Sequence, residues 1–147
     1  MSKKKKVIRW ILLLLWMGFI FYMSSKSGSE STEQSDIVIN ILSYLGISLN
    51  EEFQNIASFV VRKTAHVTEY FILFILAYRV AIIYINTRKA KLITLFFVFI
   101  YSATDEIHQL FVPGREGMFR DVLIDMCGAI VAIGIIKLYE KLLCRNS

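Results

Sequence analysis

Four apolar blocks constrain this chain more than any other feature of its sequence. The first, residues 7–23, is interrupted only by Arg9 and Gly18. With the polar residues beside them, all four blocks approach or reach the roughly 20 residues that a helix needs to cross a lipid bilayer. We therefore predict four transmembrane helices, near residues 7–24, 62–85, 91–111 and 121–140.

The composition agrees with this interpretation and excludes two others. The chain is 56% hydrophobic and 20% charged, whereas an average soluble domain is about 45–50% apolar and about 25% charged. A disordered chain lacks apolar residues, and two cysteines are too few for a disulfide scaffold. The predicted fold class is all-α: one integral membrane domain over residues 1–147, built as a four-transmembrane-helix bundle.

Two alternatives stay open for the apolar blocks. The first block follows the lysines at 3–6 and precedes a serine-rich stretch, as a cleaved signal peptide does. Bulky Phe21 and Tyr22 at its end do not suit cleavage. The blocks could also be buried helices of a soluble bundle. Aromatic residues near the block ends, such as Trp10 and Tyr84, favour a membrane interface instead.

Basic residues predict the orientation, because loops rich in Lys and Arg stay in the cytoplasm. Such residues occur at 3–9, at 88–91 and at 137–145, whereas segment 25–61 carries mostly acids before Arg62. We predict a multi-pass cell-membrane protein with both termini in the cytoplasm. The net charge of +5 then reflects orientation, so membrane lipids and not nucleic acid are the expected partners, and an oligomer is possible.

The segment between the first two spans contains more than a linker. Residues 24–35 read as a polar loop, and from Asp36 to Leu49 apolar residues recur at helical spacing. This pattern predicts a short extracytoplasmic amphipathic helix, either on the outer membrane surface or covering the bundle. Gly46 would end that helix. Asn50 would then cap a new one that runs on into the second span.

Ionisable residues of three separate stretches fall at one depth, under the outer surface. Charges inside a membrane are costly and mark functional sites, so we predict a polar pocket that opens outward. The candidate catalytic residues are His66, Glu69, Asp105 and Glu106. The candidate ligand-binding residues are Arg62, Lys63, Gln109, Arg115, Asp121 and Asp125.

Within this set, His66 and Glu69 occupy neighbouring helical turns and predict a hydrogen-bonded pair for acid–base chemistry. The alternative is a structural network with Arg115 that only holds helices together. Asp121 could simply cap the fourth helix. Small residues Gly128 and Ala132, four apart, would let that helix pack closely on a neighbour.

We expect neither a metal nor a cofactor. His66 and Glu69 are spaced like two ligands on one helix face, but the His-Glu-x-x-His arrangement of zinc proteases is absent from the sequence. The neighbouring arginines would also repel a cation.

An ordered set of motifs resembles the VanZ-like family of small bacterial membrane proteins over about residues 10–138. The motifs are Arg62-Lys63-x-x-His66-x-x-Glu69-Tyr70, Asp105-Glu106-x-x-Gln109-x-x-x-Pro113-Gly114-Arg115 and Asp121-Val122-x-x-Asp125-x-x-Gly128. One position departs from the family pattern, since Asp125 stands where asparagine is usual. The resemblance implies a cell-envelope role and low-level resistance to the glycopeptide teicoplanin. It leaves the molecular mechanism open.

Three functions compete at this point. A binding protein would hold a lipidated glycopeptide or a lipid-linked cell-wall precursor through its arginines. A membrane-embedded enzyme would use His66 as general acid or base, and Thr64 and Ser102 are only weak candidate nucleophiles. A proton-coupled transporter would need a charge relay through the cytoplasmic half of the membrane, which the sequence lacks.

Overall fold

The computed structural model describes residues 2–44 and 51–145, and within those ranges it is helical apart from short turns. The all-α fold class is confirmed. The five helices are α1 (Lys3–Ser24), α2 (Gly28–Tyr44), α3 (Glu51–Ala81), α4 (Thr87–Gln109) and α5 (Phe119–Arg145).

Four of these helices, α1, α3, α4 and α5, coincide with the four apolar blocks, and their ends differ from the predicted ones. Helix α3 ends at Ala81, not near residue 85, because residues 82–85 form a turn that leads to the Asn86 cap of α4. The side chain of Asn86 accepts a hydrogen bond from the backbone N–H of Lys89 at 2.9 Å. This cap starts α4 at Thr87, earlier than the predicted residue 91.

Two of the described helices are long and apolar enough to cross a membrane. They are Lys3–Ser24, with a mean hydropathy of 1.9, and Phe119–Cys144, with a mean hydropathy of 2.1. Polar residues interrupt the apolar stretches of α3 and α4. The structure therefore supports two membrane-crossing helices by length and composition, against the four that the sequence predicts.

The outer surface of these two helices is strongly apolar. Leu15 of α1 is 66% exposed, and Ile130 and Leu138 of α5 are 60% and 58% exposed. Soluble proteins rarely expose a continuous apolar surface of this kind, so it disfavours the soluble-bundle alternative.

Helix α3 is the centre of the molecule and contacts every other helix. Its closest partner is α5, as the small residues of α5 predict. A Cβ atom added to Gly128 would lie 2.2 Å from the backbone oxygen of Val67, and Ala132 is completely buried. The absence of a side chain at Gly128 thus brings the first turns of α5 against the polar stretch of α3.

The basic segments gather at one end of the bundle. Arg9 of α1 donates a hydrogen bond from Nη1 to the backbone oxygen of Arg79 at 2.6 Å, close to the end of α3. Lys91 of α4 forms an ion pair with Glu140 of α5. The start of α1, the α3–α4 turn and the last part of α5 are therefore neighbours, as the charge pattern requires.

At the opposite end of the bundle, the structure differs from the sequence prediction. Residues 24–35 were expected to form a polar loop, and most of them are helical. Helix α2 already begins at Gly28. Ser27 and Glu30 form a capping box: the Ser27 N–H donates to Glu30 Oε2 at 2.8 Å, and the Glu30 N–H donates to Ser27 Oγ at 3.3 Å. These two bonds satisfy backbone donors that would otherwise be unpaired at the helix start.

The face of α2 that packs inward is partly polar. Ser31, Ser35 and Ile39 are buried, at i, i+4 and i+8, whereas Ile37 and Ile41 are 59% and 55% exposed. Helix α2 covers the bundle, the second of the two placements considered. The predicted stop at Gly46 and cap at Asn50 lie outside the described residues, and the predicted continuous helix into the second span is present as α3.

Candidate functional site

A cavity of about 280 Å³ lies between α1, α2 and α3 at the end opposite the basic segments. We call it the amphiphilic cavity, because one part of its wall is apolar and the other is charged. Its apolar lining residues are Ile20, Met23, Val38, Val61 and Ala65. Its charged and titratable lining residues are Arg62, His66, Glu69, Asp105 and Arg115.

A second cavity of about 410 Å³, the polar cavity, adjoins it beneath the α4–α5 connection. Arg62, His66 and Arg115 line both cavities. The polar cavity also reaches Lys63 and Gln109. These three shared residues therefore form the boundary between an apolar-walled space and a polar one.

The two shared arginines lack acidic partners. Arg115 donates from Nε to the backbone oxygen of Lys26 at 3.1 Å. In the ranges 2–44 and 51–145, neither Arg62 nor Arg115 lies within 4.0 Å of a carboxylate oxygen. Burial, and then the charge of Arg62, lowers the pKa of Arg115. Two positive charges thus face the cavities without direct neutralisation.

Three residues from three helices meet behind this boundary, and we call them the triad: His66 of α3, Glu106 of α4 and Asp125 of α5. One potential ligand atom from each lies within 4.8 Å of the other two. His66 Nδ1 is 3.3 Å from Asp125 Oδ1. Asp125 is completely buried and Glu106 is 5% exposed.

Each triad carboxylate is held by one of its two oxygens. Ser102 donates from Oγ to Asp125 Oδ2 at 2.7 Å, and the backbone N–H of Met118 donates to Glu106 Oε2 at 3.0 Å. The other oxygens, Asp125 Oδ1 and Glu106 Oε1, are buried without a hydrogen-bond partner, and so is His66 Nδ1. Carboxylate ligands of metal ions are commonly held in this way by a hydrogen bond to one oxygen.

His66 contacts a different carboxylate from the one that the sequence predicts. A hydrogen-bonded pair of His66 and Glu69 was expected, whereas the carboxylate nearest to His66 is that of Asp125. Glu69 lines the amphiphilic cavity within electrostatic range of His66 and Arg115. The reason is helix packing, because Gly128 brings α5 onto α3 and places Asp125 beside His66.

The remaining candidate residues fall into two groups. Lys63 is neutralised by Asp121, with Nζ 2.7 Å from Oδ2, so Asp121 anchors α5 to α3. Asp105 and Gln109 are buried, and their atoms Oδ2 and Nε2 have no hydrogen-bond partner in the described structure. The expected structural network with Arg115 is absent as a direct ion pair in the described ranges.

Sequence reasoning missed several residues of the site. Ser24, Gln34 and Ser35 line the amphiphilic cavity. All three lie within residues 24–35, for which the sequence predicts a polar loop. Ser102 was considered only as a weak nucleophile, yet it positions Asp125. The available signal was its spacing, since Ser102 and Glu106 are four residues apart and share one face of α4.

Comparison with known families agrees with the resemblance stated above. A family model described as VanZ/LLP1 matches residues 9–140 of the chain. No curated protein and no solved structure matches it. The family match and the two apolar helices together indicate a membrane protein. Because the model covers nearly the whole sequence, the chain belongs to the VanZ/LLP1 family.

Proposed function

We propose that this chain is a cell-envelope membrane protein that binds the anionic headgroup of a lipid-linked or lipid-tailed ligand. In this proposal α1, α3, α4 and α5 all cross the membrane. Both termini are cytoplasmic, because the basic segments share one end of the bundle. The two cavities then open toward the outer leaflet.

The observation that carries the proposal is that Arg62 and Arg115 have no carboxylate partner among the described residues. An uncompensated charge inside a membrane protein is costly, and Arg62 and Arg115 both face the cavities. A guanidinium presents its N–H donors in a planar fork that matches a phosphate or carboxylate with two parallel bonds. An anion between these two residues would give both guanidinium groups a direct partner.

The apolar half of the amphiphilic cavity supports a ligand with a lipid tail. Ile20 and Met23 of α1 and Val38 of α2 line it, so a hydrocarbon chain could lie against them while its headgroup reaches the arginines. A free inorganic anion would leave this apolar wall unused. The shape therefore favours an amphiphile over a small soluble anion.

The family resemblance supports the biological setting of this proposal. Teicoplanin carries an acyl tail, and lipid-linked cell-wall precursors carry anionic phosphate. We propose that the chain protects cells from a lipid-tailed glycopeptide, either by holding it or by binding the lipid-linked precursor that it attacks.

Expression in a susceptible host should raise the inhibitory concentration of a lipid-tailed glycopeptide more than that of the same glycopeptide without its tail.

A direct test is the binding of a polyprenyl phosphate to the purified full chain in detergent. The neutral polyprenol of the same length is the matched ligand. We expect the phosphate to bind more tightly, and Arg62→Gln or Arg115→Gln to weaken it about 10- to 100-fold, because hydrogen bonds to charged groups contribute roughly 1.5–3 kcal/mol. Isothermal titration or native mass spectrometry measures the affinities.

Arg88→Gln is the control, since Arg88 is an exposed arginine near the start of α4, at the basic end of the bundle. It should bind the polyprenyl phosphate as the unaltered chain does. Equal affinities for the phosphate and the polyprenol, or equal losses in the Arg88 and Arg115 variants, would rule the proposal out.

A second candidate function, a membrane-embedded enzyme, is favoured by one contact. His66 lines both cavities and has the Asp125 carboxylate 3.3 Å from Nδ1, as a general base positioned by an acid does. Ser102 is buried and bound to Asp125, so water would have to be the nucleophile. Conversion of a bound lipid by the unaltered chain, lost in a folded His66→Ala variant, would favour this function over simple binding.

A further inference from the structure

We propose that the triad of His66, Glu106 and Asp125 binds one divalent transition-metal ion, of the kind represented by Zn²⁺ or Mn²⁺. This site is separate from the anion site of the proposed function, which depends on Arg62 and Arg115. It also departs from the expectation of no metal, which rested on the missing His-Glu-x-x-His arrangement and on repulsion by the neighbouring arginines. Here the three ligands come from α3, α4 and α5.

The first argument is the chemistry of the donor atoms. Asp125 Oδ1 and Glu106 Oε1 are buried and receive no hydrogen bond of normal geometry from a described residue, and His66 Nδ1 lies 3.3 Å from Asp125 Oδ1. Buried charged groups are costly unless they are paired or bound to a metal. A metal ion between the two carboxylates and the imidazole would give the unpaired oxygen atoms a direct partner.

The second argument is geometry. The potential ligand atoms lie within 4.8 Å of one another. Two ligands of one zinc ion lie at most about 4 Å apart, twice the usual metal–oxygen or metal–nitrogen distance. Side-chain shifts of less than about 1 Å would complete the coordination, and the helix positions would not have to change.

The third argument is the surrounding hydrogen bonds. Ser102 holds Asp125 Oδ2, which leaves Oδ1 facing His66, and the Met118 N–H holds Glu106 Oε2, which leaves Oε1 without a partner among the described residues. Neither carboxylate is held by an arginine or lysine within 4.0 Å in the described ranges, and Lys63 is occupied by Asp121. The expected repulsion by arginines is thus not a direct contact at the triad.

The ligand types select the class of metal. Imidazole together with carboxylates suits zinc and manganese, whereas Mg²⁺ and Ca²⁺ prefer oxygen ligands alone. Three protein ligands also leave a coordination position for water or for a ligand atom, as in catalytic zinc sites. His66 lines both cavities, so a bound ion would lie at their wall.

The test uses the purified, tag-free full chain in detergent. The protein is stripped with a chelator, incubated with Zn²⁺ or with Mn²⁺, and freed of excess metal. Elemental analysis then gives the metal content, and isothermal titration gives the affinity. We expect about one ion per chain and a higher affinity for zinc than for manganese, following the general stability order of divalent ions.

Variants separate a site from adventitious binding. Asp125→Asn and Glu106→Gln keep side-chain size and should each weaken zinc binding at least about tenfold. Ser102→Ala removes only the outer hydrogen bond to Asp125, and it should weaken binding by about 10- to 100-fold, the range typical of such supporting residues. Glu33→Gln is the matched control, because Glu33 is an exposed carboxylate on α2 that lines neither cavity.

The metal content of the unaltered chain and of the variants decides whether the triad is a metal site. Loss of zinc in the triad variants with retention in Glu33→Gln supports the site. A stripped unaltered chain that takes up no zinc and no manganese overturns it, whether or not any variant folds. Equal zinc content in the unaltered chain and in a folded Asp125→Asn variant, judged by circular dichroism, also overturns it. Polyprenyl phosphate binding is measured separately, so failure of one proposal is distinguishable from failure of the other.

Discussion

Gly128 shows how one missing side chain positions the site. A Cβ atom at this residue would lie 2.2 Å from Val67 O and 2.8 Å from Phe71 N, both backbone atoms of α3. Asp125 is three residues before Gly128 on α5, so the close approach that Gly128 permits also brings Asp125 to His66. The contact between the two helices and the geometry of the triad therefore depend on the same residue.

Gly128→Ala should destabilise the protein. Its new methyl group would push α5 away from α3, and overpacking of a tight contact typically costs about 1–3 kcal/mol. The thermal midpoint of the purified chain in detergent, followed by scanning fluorimetry, should fall.

Gly134→Ala is the matched control on the same helix, since a Cβ atom there would contact nothing within 4 Å. Alanine favours a helix over glycine by roughly 1 kcal/mol, so this variant should melt at or above the temperature of the unaltered chain. A Gly128→Ala variant that is as stable as Gly134→Ala would contradict the close-packing account.

At the scale of elements, α2 depends on its cap more than on its apolar residues. Ser27 and Glu30 start the helix, and the Gly28 N–H donates to the backbone oxygen of Pro113 at 3.1 Å. The first turn of α2 is therefore fixed against the α4–α5 connection. This contact places Ser31 and Ser35 over the amphiphilic cavity.

Removal of the cap should loosen the start of α2 and leave the rest of the bundle intact. In Glu30→Ala, the backbone amides of the first turns of α2 should exchange with deuterium faster than in the unaltered chain. Glu33→Ala is the control, since Glu33 lies on the same exposed helix and takes no part in the cap. Hydrogen exchange read by mass spectrometry compares the two, and equal protection would contradict the role of the cap.

The same cap predicts a pH dependence. The side-chain and backbone hydrogen bonds from Ser27 lower the pKa of Glu30 from its ordinary 4.5. A lowered folded-state pKa means that the stabilisation is present above pH 4.5 and is lost as the pH falls through the folded-state value. Protection at the start of α2, corrected for intrinsic exchange, should decline in that acidic range, and it should do so much less in Glu30→Ala.

The cap also shows what the sequence could and could not predict. Apolar blocks located α1, α3, α4 and α5, because the hydrophobic pattern of a long helix is a strong local signal. The start of α2 is marked in the sequence by the capping-box pattern Ser27-x-x-Glu30. The many serines of residues 24–35 favour a loop instead, and the predicted helix therefore starts too late. The local sequence therefore contains the signal for the start of α2.

The partner of His66 is a different case. Glu69 was the natural candidate, because it is three residues away on the same helix. The contact with Asp125 depends on how α5 packs on α3, and no local pattern specifies which of several carboxylates a packed helix brings closest. The sequence predicted the polar cluster, and only the tertiary structure divides it into a cavity boundary and a triad.

At the scale of the whole molecule, charge is separated along the bundle. One end carries the basic segments around Arg9 and Lys91, and the other carries the cavities, the triad and the α4–α5 connection. In the proposed arrangement α1, α3, α4 and α5 cross the membrane, and the cavities open toward the outer leaflet. The α4–α5 connection should therefore be accessible from outside the cell, and the start of α4 from the cytoplasm.

Single-cysteine labelling tests this sidedness. In a chain with Cys127→Ser and Cys144→Ser, Glu116→Cys reports on the α4–α5 connection and Arg88→Cys on the start of α4. Both positions are exposed. A membrane-impermeant maleimide should label Glu116→Cys in intact cells and Arg88→Cys only after permeabilisation, and the reverse pattern would contradict the proposed orientation.

The central claim is that Arg62 and Arg115 hold the anionic headgroup of an amphiphile, and the lipid that co-purifies with the chain tests it most directly. Native mass spectrometry of the protein extracted in mild detergent should show a bound anionic lipid on the unaltered chain and on Arg88→Gln. The same lipid should be depleted about tenfold or more in Arg62→Gln and Arg115→Gln, given the roughly 1.5–3 kcal/mol expected for hydrogen bonds to charged groups. Equal occupancy in all four proteins, or no anionic lipid on the unaltered chain, would contradict the account.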